Sequence, residues 1–410
     1  MRILLHGINY SPELTGIGKY TGEMAVWLAA QGHDVRVVTA PPYYPQWQIA
    51  DGYANKWQVD QTEGVVVYRC PLWVPSKVSG LKRIIHLASF AVASFPVMLS
   101  QIIWRPDVVW VVEPPLFCAP QAWLVARLSG AKAWLHIQDY EVDAAFDLGL
   151  LKGATLRNAV SAGERWLMRR FDRVSTISKR MASRALSKGI AADRVVLFPN
   201  WVDLSGFSLS DLDSALQSSD SLYRMELGIA QEAIVALYSG NMGGKQGLEI
   251  LAQVASMCPE VVFMFCGQGA GRADLATLCD GLTNVHFLDL QPLSRLGEFL
   301  AMVDIHLLPQ RADAADLVMP SKLTGILASG RPVVATAHLG TELADVVVGC
   351  GLVVDPENGE AFATAINQLA QDAQLRATLG SAGRAYAQAH LDKEAVLATF
   401  ESDLIALINN

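Results

Sequence analysis

Short β-branched runs alternate with stretches of helical spacing along this whole chain, and that alternation leaves little room for anything but parallel sheets covered by helices. The first half offers strands at 3–7, 34–39, 65–69, 107–112, 133–138, 173–176 and 195–198. Between them lie helices such as 18–31, where Tyr20, Met24, Trp27 and Leu28 recur at helical spacing. The second half repeats the plan, with strands at 233–239, 261–266, 285–287, 305–308, 333–335 and 351–354. At 410 residues, 51% apolar and 18% charged, the chain exceeds one hydrophobic core and is too apolar to be disordered. The expected fold class is α/β, with two doubly wound, Rossmann-like domains facing a cleft at the carboxyl ends of their strands.

The join falls at Phe198-Pro199-Asn200-Trp201-Val202-Asp203, where a strand ends in a Pro/Asn turn ahead of a Ser- and Asp-rich stretch, 204–221. Residues 1–200 are read as the first domain and 204–385 as the second. A helical pattern with no strand after it, 386–410, is read as a helix packing back on the first domain.

A net charge of −8 argues against a general nucleic-acid binder, but the charge is uneven. Between Lys152 and Lys188 ten basic residues face two acidic ones, so this window carries +8 and the rest −16. Residues 64–106 hold no Asp or Glu, yet include Arg69, Lys77, Lys82, Arg83 and Arg105. Such blocks suit anions, either lipid headgroups or phosphorylated substrates; ordinary solvated helix faces are the alternative. Within them, 84–104 runs without a full charge. It is long enough to span a membrane, but Pro96, His86 and Gln101 oppose that, and His86, Ser89, Ala93 and Ser100 share one stripe. A helix lying in the membrane interface, or one buried in the domain, are the other readings; peripheral association is the expectation. The start MRILLHGINY has no signal-peptide pattern, and the six cysteines form no CxxC. A cytoplasmic protein, peripheral to the inner membrane face, is expected, without a disulfide framework or a zinc site.

Four glycine clusters follow strands. Gly16-Ile17-Gly18-Lys19-Tyr20-Thr21-Gly22 is spaced GxGxxxG, starts nine residues beyond its strand, and has no acidic residue after the second strand. It is thus no dinucleotide fingerprint, and borders either a second-substrate cleft or merely a tight turn. Tyr238-Ser239-Gly240-Asn241-Met242-Gly243-Gly244-Lys245-Gln246-Gly247 combines four glycines and a lysine ahead of a helix, as a diphosphate cradle would. Cys266-Gly267-Gln268-Gly269 offers backbone against which a flat base can lie. In 319–335, Pro320 and Ser321 open a helix, Gly330 ends it and Pro332 starts the next strand.

These clusters resemble the donor-nucleotide domain of family-4 glycosyltransferases with the GT-B fold. The first half adds GIGKYTGE, the strand end His136-Ile137-Gln138-Asp139-Tyr140-Glu141 and the Pro199-Asn200 crossover. Through INYSPELTGIGKYTGEM, VTAPPYYPQWQ, LHIQDYEVDA, YSGNMGGKQGLE and PSKLTGILASG the chain is most similar to the exopolysaccharide enzymes of the colanic acid cluster. The resemblance implies a nucleotide-sugar donor in the second domain, an acceptor in the first, retention of anomeric configuration, and no metal or other cofactor. It assigns Asn241, Lys245 and Gln246 to the phosphate loop, Gly267, Gln268 and Gly269 to the base side, and Ser321, Lys322, Leu323 and Thr324 to the diphosphate and ribose. Gly16, Ile17, Gly18 and Lys19 fall to the acceptor-side loop.

The chain departs from that pattern in places. The family's two glutamates would fall at Leu317 and Gly325; Asp313 and Asp316 lie nearby but out of register. Asn241 stands where an Arg is common, Gln246 where a Lys is, and Gln138 where the active-site His is. His136, Gln138, Asp139 and Glu141 are therefore the catalytic candidates: the first two to hydrogen-bond the donor sugar, the carboxylates to orient the acceptor hydroxyl or balance positive charge on the sugar. His136 has the alternative of a satisfied core histidine. The implied donor is GDP-fucose or a UDP-activated amino sugar, and the implied acceptor a saccharide on an undecaprenyl-pyrophosphate-type lipid. Rival readings are a sugar-nucleotide epimerase of the same fold, a pyridine-nucleotide dehydrogenase, and a non-catalytic assembly partner.

Overall fold

The strand Val108–Glu113 is buried at every position, as a valine-rich run covered on both faces requires. In the computed structural model, which describes residues 1–13, 16–76, 80–147, 153–207, 222–243, 246–312 and 320–409, it is the fifth of eight strands in the first of two sheets. These are β1 (Arg2–His6), β2 (Asp34–Thr39), β3 (Gln58–Thr62), β4 (Val65–Arg69), β5 (Val108–Glu113), β6 (Lys132–Ile137), β7 (Arg173–Thr176) and β8 (Val195–Leu197). Their order, β3-β4-β2-β1-β5-β6-β7-β8, is parallel except for the β3–β4 hairpin. The alternation did not reveal β3, because Gln58-Val59-Asp60-Gln61-Thr62 is a polar, largely exposed edge. Its two-residue turn, Glu63-Gly64, has positive φ at both positions, the geometry that matches strand twist in a tight hairpin.

The second sheet holds β9 (Ile234–Ser239), β10 (Val261–Cys266), β11 (Val285–Leu288), β12 (Ile305–Leu308), β13 (Val333–Thr336) and β14 (Gly351–Val354), in the order β11-β10-β9-β12-β13-β14. Side chains alternate between its faces. Val235 and Leu237 of β9 join one apolar cluster with Phe299 and Leu327, while Ala236 and Tyr238 join another with Leu251 and Phe362. In each sheet the strand order reverses beside the first strand, between β1 and β5 and between β9 and β12. Ligands of doubly wound sheets sit outside the carboxyl ends of the strands at such a reversal.

Two units result, Met1–Pro199 with Leu397–Asn410, and Asn200–Val396. The chain thus re-enters the first unit at Leu397, within its last helix. The single helical pattern expected at the end is two helices, Ala373–His390 and Lys393–Asn409. The break between them is fastened by hydrogen bonds from Val202 N to Leu391 O (2.8 Å) and from Lys393 N to Val202 O (3.1 Å). In the first unit, the last helix places Phe400 flat on Phe198 (4.3 Å between centroids) and edge-on to Trp134 (5.1 Å).

Helix α1 (Gly16–Ala30) precedes the long α2 (Gly80–Trp104), which packs on the helix Ala119–Ser129 and on β2. By length and composition α2 could cross a membrane, with 28% of its most apolar window buried. The basic window is less open to outside anions than its count suggests. Lys188 is buried against Glu164 and Asp143, and Arg184 bonds Asp143 at 2.8 Å. Lys152 lies outside the described residues.

Because Phe400 is 2% exposed and stacked on one side, Phe400→Ala leaves a cavity between the last helix and β6–β8. It is expected to cost ~3–5 kcal/mol and lower the melting temperature of the first unit by several degrees in a calorimetric scan. An unchanged melting curve would mean that the last helix is not part of that core.

Candidate active site

In the second unit, the loops after β9 and β10 touch backbone to backbone. Gly240 N donates to Cys266 O (3.0 Å), and Met242 N to Gln268 O (2.9 Å). A Cβ on Gly267 would lie 1.9 Å from Gly240 O, and one on Gly269 2.5 Å from Met242 O; both residues have positive φ. These glycines are thus required by the close approach of two loops, whatever else they touch. Gln268 spends its carbonyl here and leaves its side chain exposed. Asn241 is exposed, and its carbonyl accepts the Tyr238 hydroxyl at 2.6 Å. Gln246 folds its own side chain back so that Oε1 accepts Gly243 N at 3.0 Å, closing the loop. Lys245 lies outside the described residues, as do Asp313, Asp316 and Leu317.

Against these loops stands the start of the helix Lys322–Ala328. Ser321 is exposed and does not cap the helix with its side chain; Thr324 bonds back to Ser321 O at 2.9 Å. Leu323, a donor-site candidate, has its side chain in the core at 2% exposure, so only its main chain can meet a ligand. A Cβ at Gly325, where the family's glutamate would fall, would sit 3.1 Å from Leu300 Cδ1. Lys322 is the exception in this neighbourhood. Its ammonium lies 4.1 Å over the Tyr238 ring, beside Gly240, shielded from solvent, and it has no hydrogen-bond partner among the described residues. Burial lowers it to about 7. A shielded lysine without a partner is destabilising unless an anion joins it.

In the first unit the glycine loop proves to be the first turns of α1. Gly18 and Gly22 are small because the preceding segment packs on them: a Cβ would fall 2.6 Å from Glu13 Oε2 and 2.8 Å from Ser11 Cβ. Gly16 has positive φ with nothing near it, and Ile17 is half-buried. Lys19 pairs with Glu23 at 3.2 Å. The motif left one functional group unread, Glu13. Its carboxylate accepts Tyr43 N and Tyr44 N (3.0 Å each) and the Asn9 amide (2.8 Å). Burial raises it above the usual carboxylate range, against those hydrogen bonds. An acid between apolar residues and Pro12 was the available signal.

At the carboxyl ends of β5 and β6 the catalytic candidates separate. His136 is 2% exposed, stacked on Trp110, with Nδ1 2.8 Å from Ser175 Oγ and Nε2 3.0 Å from Gln138 Nε2. Burial lowers it to about 3. It is a satisfied core histidine that holds Gln138, and a direct bond from its ring to a ligand is not available in this arrangement. Gln138 and Asp139 are half-buried at the strand end. Glu141 is spent in a clasp: Oε2 accepts Leu116 N at 2.8 Å, while its own N donates to Glu113 Oε1 at 3.2 Å. Burial raises the Tyr44 phenol; Arg83 opposes, and Glu13 and Asp139 add to it, so these groups share one electrostatic neighbourhood. No group of three or more His, Cys, Asp or Glu positioned to hold a metal occurs among the described residues.

Glu113 itself is fully buried, with Oε2 unpartnered, and burial holds it well above the usual carboxylate range, Glu164 and Glu141 adding to the effect. It therefore holds its proton more tightly in the fold than in the unfolded chain, and the stability this contributes is lost as pH rises through the folded value. Glu113→Gln should raise the melting temperature most at alkaline pH, the gain shrinking to nothing near pH ~4.5, where the unfolded chain is also protonated. A pH-independent difference between the two proteins would show that Glu113 is ionised in the fold.

The profile of the Glycosyl transferase 4-like domain matches residues 15–201, and that of Glycosyl transferases group 1 matches 233–372. Escherichia coli (strain K12) WcaI, whose name assigns it provisionally to colanic acid biosynthesis as a glycosyl transferase, is 47% identical over 98% of this chain and all of its own. Sucrose-phosphate synthase from Thermosynechococcus elongatus shares the fold over 100% of this chain and 99% of its own, with a TM-score of 0.77 at 17% identity. Anabaena HepE in complex with UDP and glucose does so over 99% and 100%, with a TM-score of 0.70 at 18% identity. With both domains matched and a relative this similar along its whole length, the chain belongs to the glycosyltransferases, of the kind that joins a glycosyl transferase 4-like domain to a group 1 domain in the GT-B fold.

Proposed function

We propose that this glycosyltransferase moves a hexose from a nucleoside-diphosphate sugar, GDP-fucose first among the candidates, to a saccharide on an undecaprenyl-pyrophosphate-type lipid in exopolysaccharide synthesis. The transfer retains anomeric configuration and uses no metal ion. The observation that carries this is Lys322, a shielded ammonium without a hydrogen-bond partner among the described residues, at the reversal of the second sheet, beside glycine loops that keep side chains away from the strand ends. A diphosphate would supply the missing anion. As the bond between sugar and phosphate breaks, negative charge grows on the leaving group, and a positioned cation in a dry site stabilises it more than water would. Lys245 of the same loop would add a second cation. Asp139, at the end of β6, orients the acceptor hydroxyl, and Gln138, held by His136, hydrogen-bonds the donor sugar.

Support for the pathway comes from WcaI, 47% identical and named for colanic acid biosynthesis, and for a nucleoside diphosphate from the similarly folded protein that holds UDP and glucose. The acceptor would be met at the cytoplasmic face of the inner membrane, where the acid-free 64–106 segment favours anionic surfaces.

A thermal-shift panel of GDP- and UDP-sugars with their parent nucleotides checks the donor: one base should raise the melting temperature by several degrees, without magnesium. Lys322→Met should keep or raise the melting temperature of the free protein, since it removes a buried charge that has no partner, while abolishing that nucleotide shift and cutting turnover at least tenfold. A full nucleotide response in Lys322→Met would remove the cradle from consideration. Turnover of donor with no acceptor present would favour the epimerase.

A further inference from the structure

Helix α2 turns an apolar face to solvent as well as one to the body of its unit. At 100° per residue, Leu81, Ile85, Val92, Phe95 and Ile103 fall within an arc of roughly 80°. All five are exposed, Leu81, Val92 and Ile103 at 70%, 74% and 88%. The opposite face is the buried one, where Leu87, Phe90 and Met98 alternate with the polar side chains His86, Ser94 and Gln101. Each is bonded to the body of the unit: His86 Nδ1 to Trp73 O (2.6 Å), Ser94 Oγ to Gln121 Nε2 (3.0 Å) and His6 Nε2 (3.2 Å), and Gln101 Oε1 to Arg36 Nη1 (3.1 Å). A surface helix of a soluble domain turns its apolar stripe to the core. Here an apolar ridge ~33 Å long faces outward, more than scattered surface hydrophobes explain.

The flanks of the ridge indicate what covers it. Trp57, exposed, donates its indole N–H to Ala93 O at 3.0 Å, and Trp73, also exposed, donates its main-chain N–H to Ser89 Oγ at 2.9 Å. Two tryptophans thus lie alongside the middle of α2. Lys82 and Arg83 are exposed at its start and Arg105 just past its end, with no acidic residue anywhere in 64–106. The nearby carboxylates of Asp34 and Asp107 already accept from the Trp104 indole and from Arg2 N. Apolar ridge, flanking indoles and basic ends are the layers an anionic lipid leaflet complements. A second copy fits worse, because antiparallel pairing of two such helices sets the basic end of one, Lys82 and Arg83, against Arg105 of the other. A transmembrane course would tear away the bonds of His86, Ser94 and Gln101.

We propose that the outward face of α2 is a lipid-docking surface, on which the helix lies in the plane of an anionic bilayer with its ridge among the acyl chains and Trp57 and Trp73 at headgroup level. This rests on the reading of a membrane-held acceptor and specifies how the protein reaches it. Docking holds the acceptor-binding unit at the depth where a lipid-linked sugar emerges, and it needs no acceptor in order to form.

The experiment is co-flotation of the full chain with vesicles of phosphatidylethanolamine and phosphatidylglycerol, against phosphatidylcholine alone, beside the variant Val92→Asp/Ile103→Asp. Both positions are exposed, so the variant should melt as the native protein does. Native protein should float with anionic vesicles and lose at least tenfold in partitioning on neutral ones, and Trp57→Phe should weaken quenching of its fluorescence by brominated acyl chains. The double variant should lose at least tenfold on anionic vesicles while keeping its nucleotide-induced thermal shift. Docking is overturned if the native chain stays off anionic vesicles, if the variant binds them equally, or if light scattering finds a native dimer that the variant converts to monomer. Loss of the nucleotide response with flotation intact would instead sink the donor reading and leave the docking surface standing.

Discussion

The close contact of two glycine loops governs the chemistry of the second unit. With Gly240 O packed where a Cβ of Gly267 would lie, the ends of β9 and β10 present backbone instead of side chains, and the space beside them is left to the end of Lys322. A lysine entering a dry site this way loses its hydration without a carboxylate in return among the described residues, and its pKa falls accordingly. Stability alone would not retain such a group, since a buried charge without a partner favours substitution by an apolar side chain. Under the function proposed above, the arrangement is a site kept ready for an anion that arrives from outside, its cation positioned before the reaction begins.

The first unit uses its buried charges differently. Glu13 gathers three N–H donors from Asn9, Tyr43 and Tyr44, and Glu113 and Glu141 clasp the loops that follow β5 and β6. These loops are irregular, and their main-chain N–H groups need partners once they leave the sheet. Buried carboxyl groups satisfy them without adding a strand. The cost is proton uptake on folding, which ties the stability of this unit to pH through the acids that hold its loops.

Much of the architecture is legible in the residues one at a time. Strand positions such as Val65–Arg69, Val261–Cys266 and Gly351–Val354 follow from β-branched runs, and the glycine clusters mark the ends where the chain turns over each sheet. The polar hairpin strand Gln58–Thr62 escapes that reading because its signal is the Glu63-Gly64 turn and not hydrophobicity. Helix α2 shows a subtler limit. Its periodicity fixes which residues share a face, but not which face turns inward: the stripe of His86, Ser89, Ala93 and Ser100 runs from buried His86 to exposed Ser100, while Ser94 and Gln101, outside it, bond to His6, Gln121 and Arg36.

The chain's composition and spacing by themselves determine two α/β units and their division near Pro199, because these depend on local preferences of short segments, and the motifs at the strand ends carry the resemblance to glycosyltransferases. What each charged or polar group does was decided by tertiary structure. His136 sits in the core against Ser175, thirty-nine residues away, and Glu141 clasps Leu116 across two strands. Lys322 is distinguished by its lack of a hydrogen-bond partner among the described residues. Whether a polar atom finds a partner is a property of distant segments brought together, and burial then sets its charge; neither is written in the residue or in its neighbours along the chain.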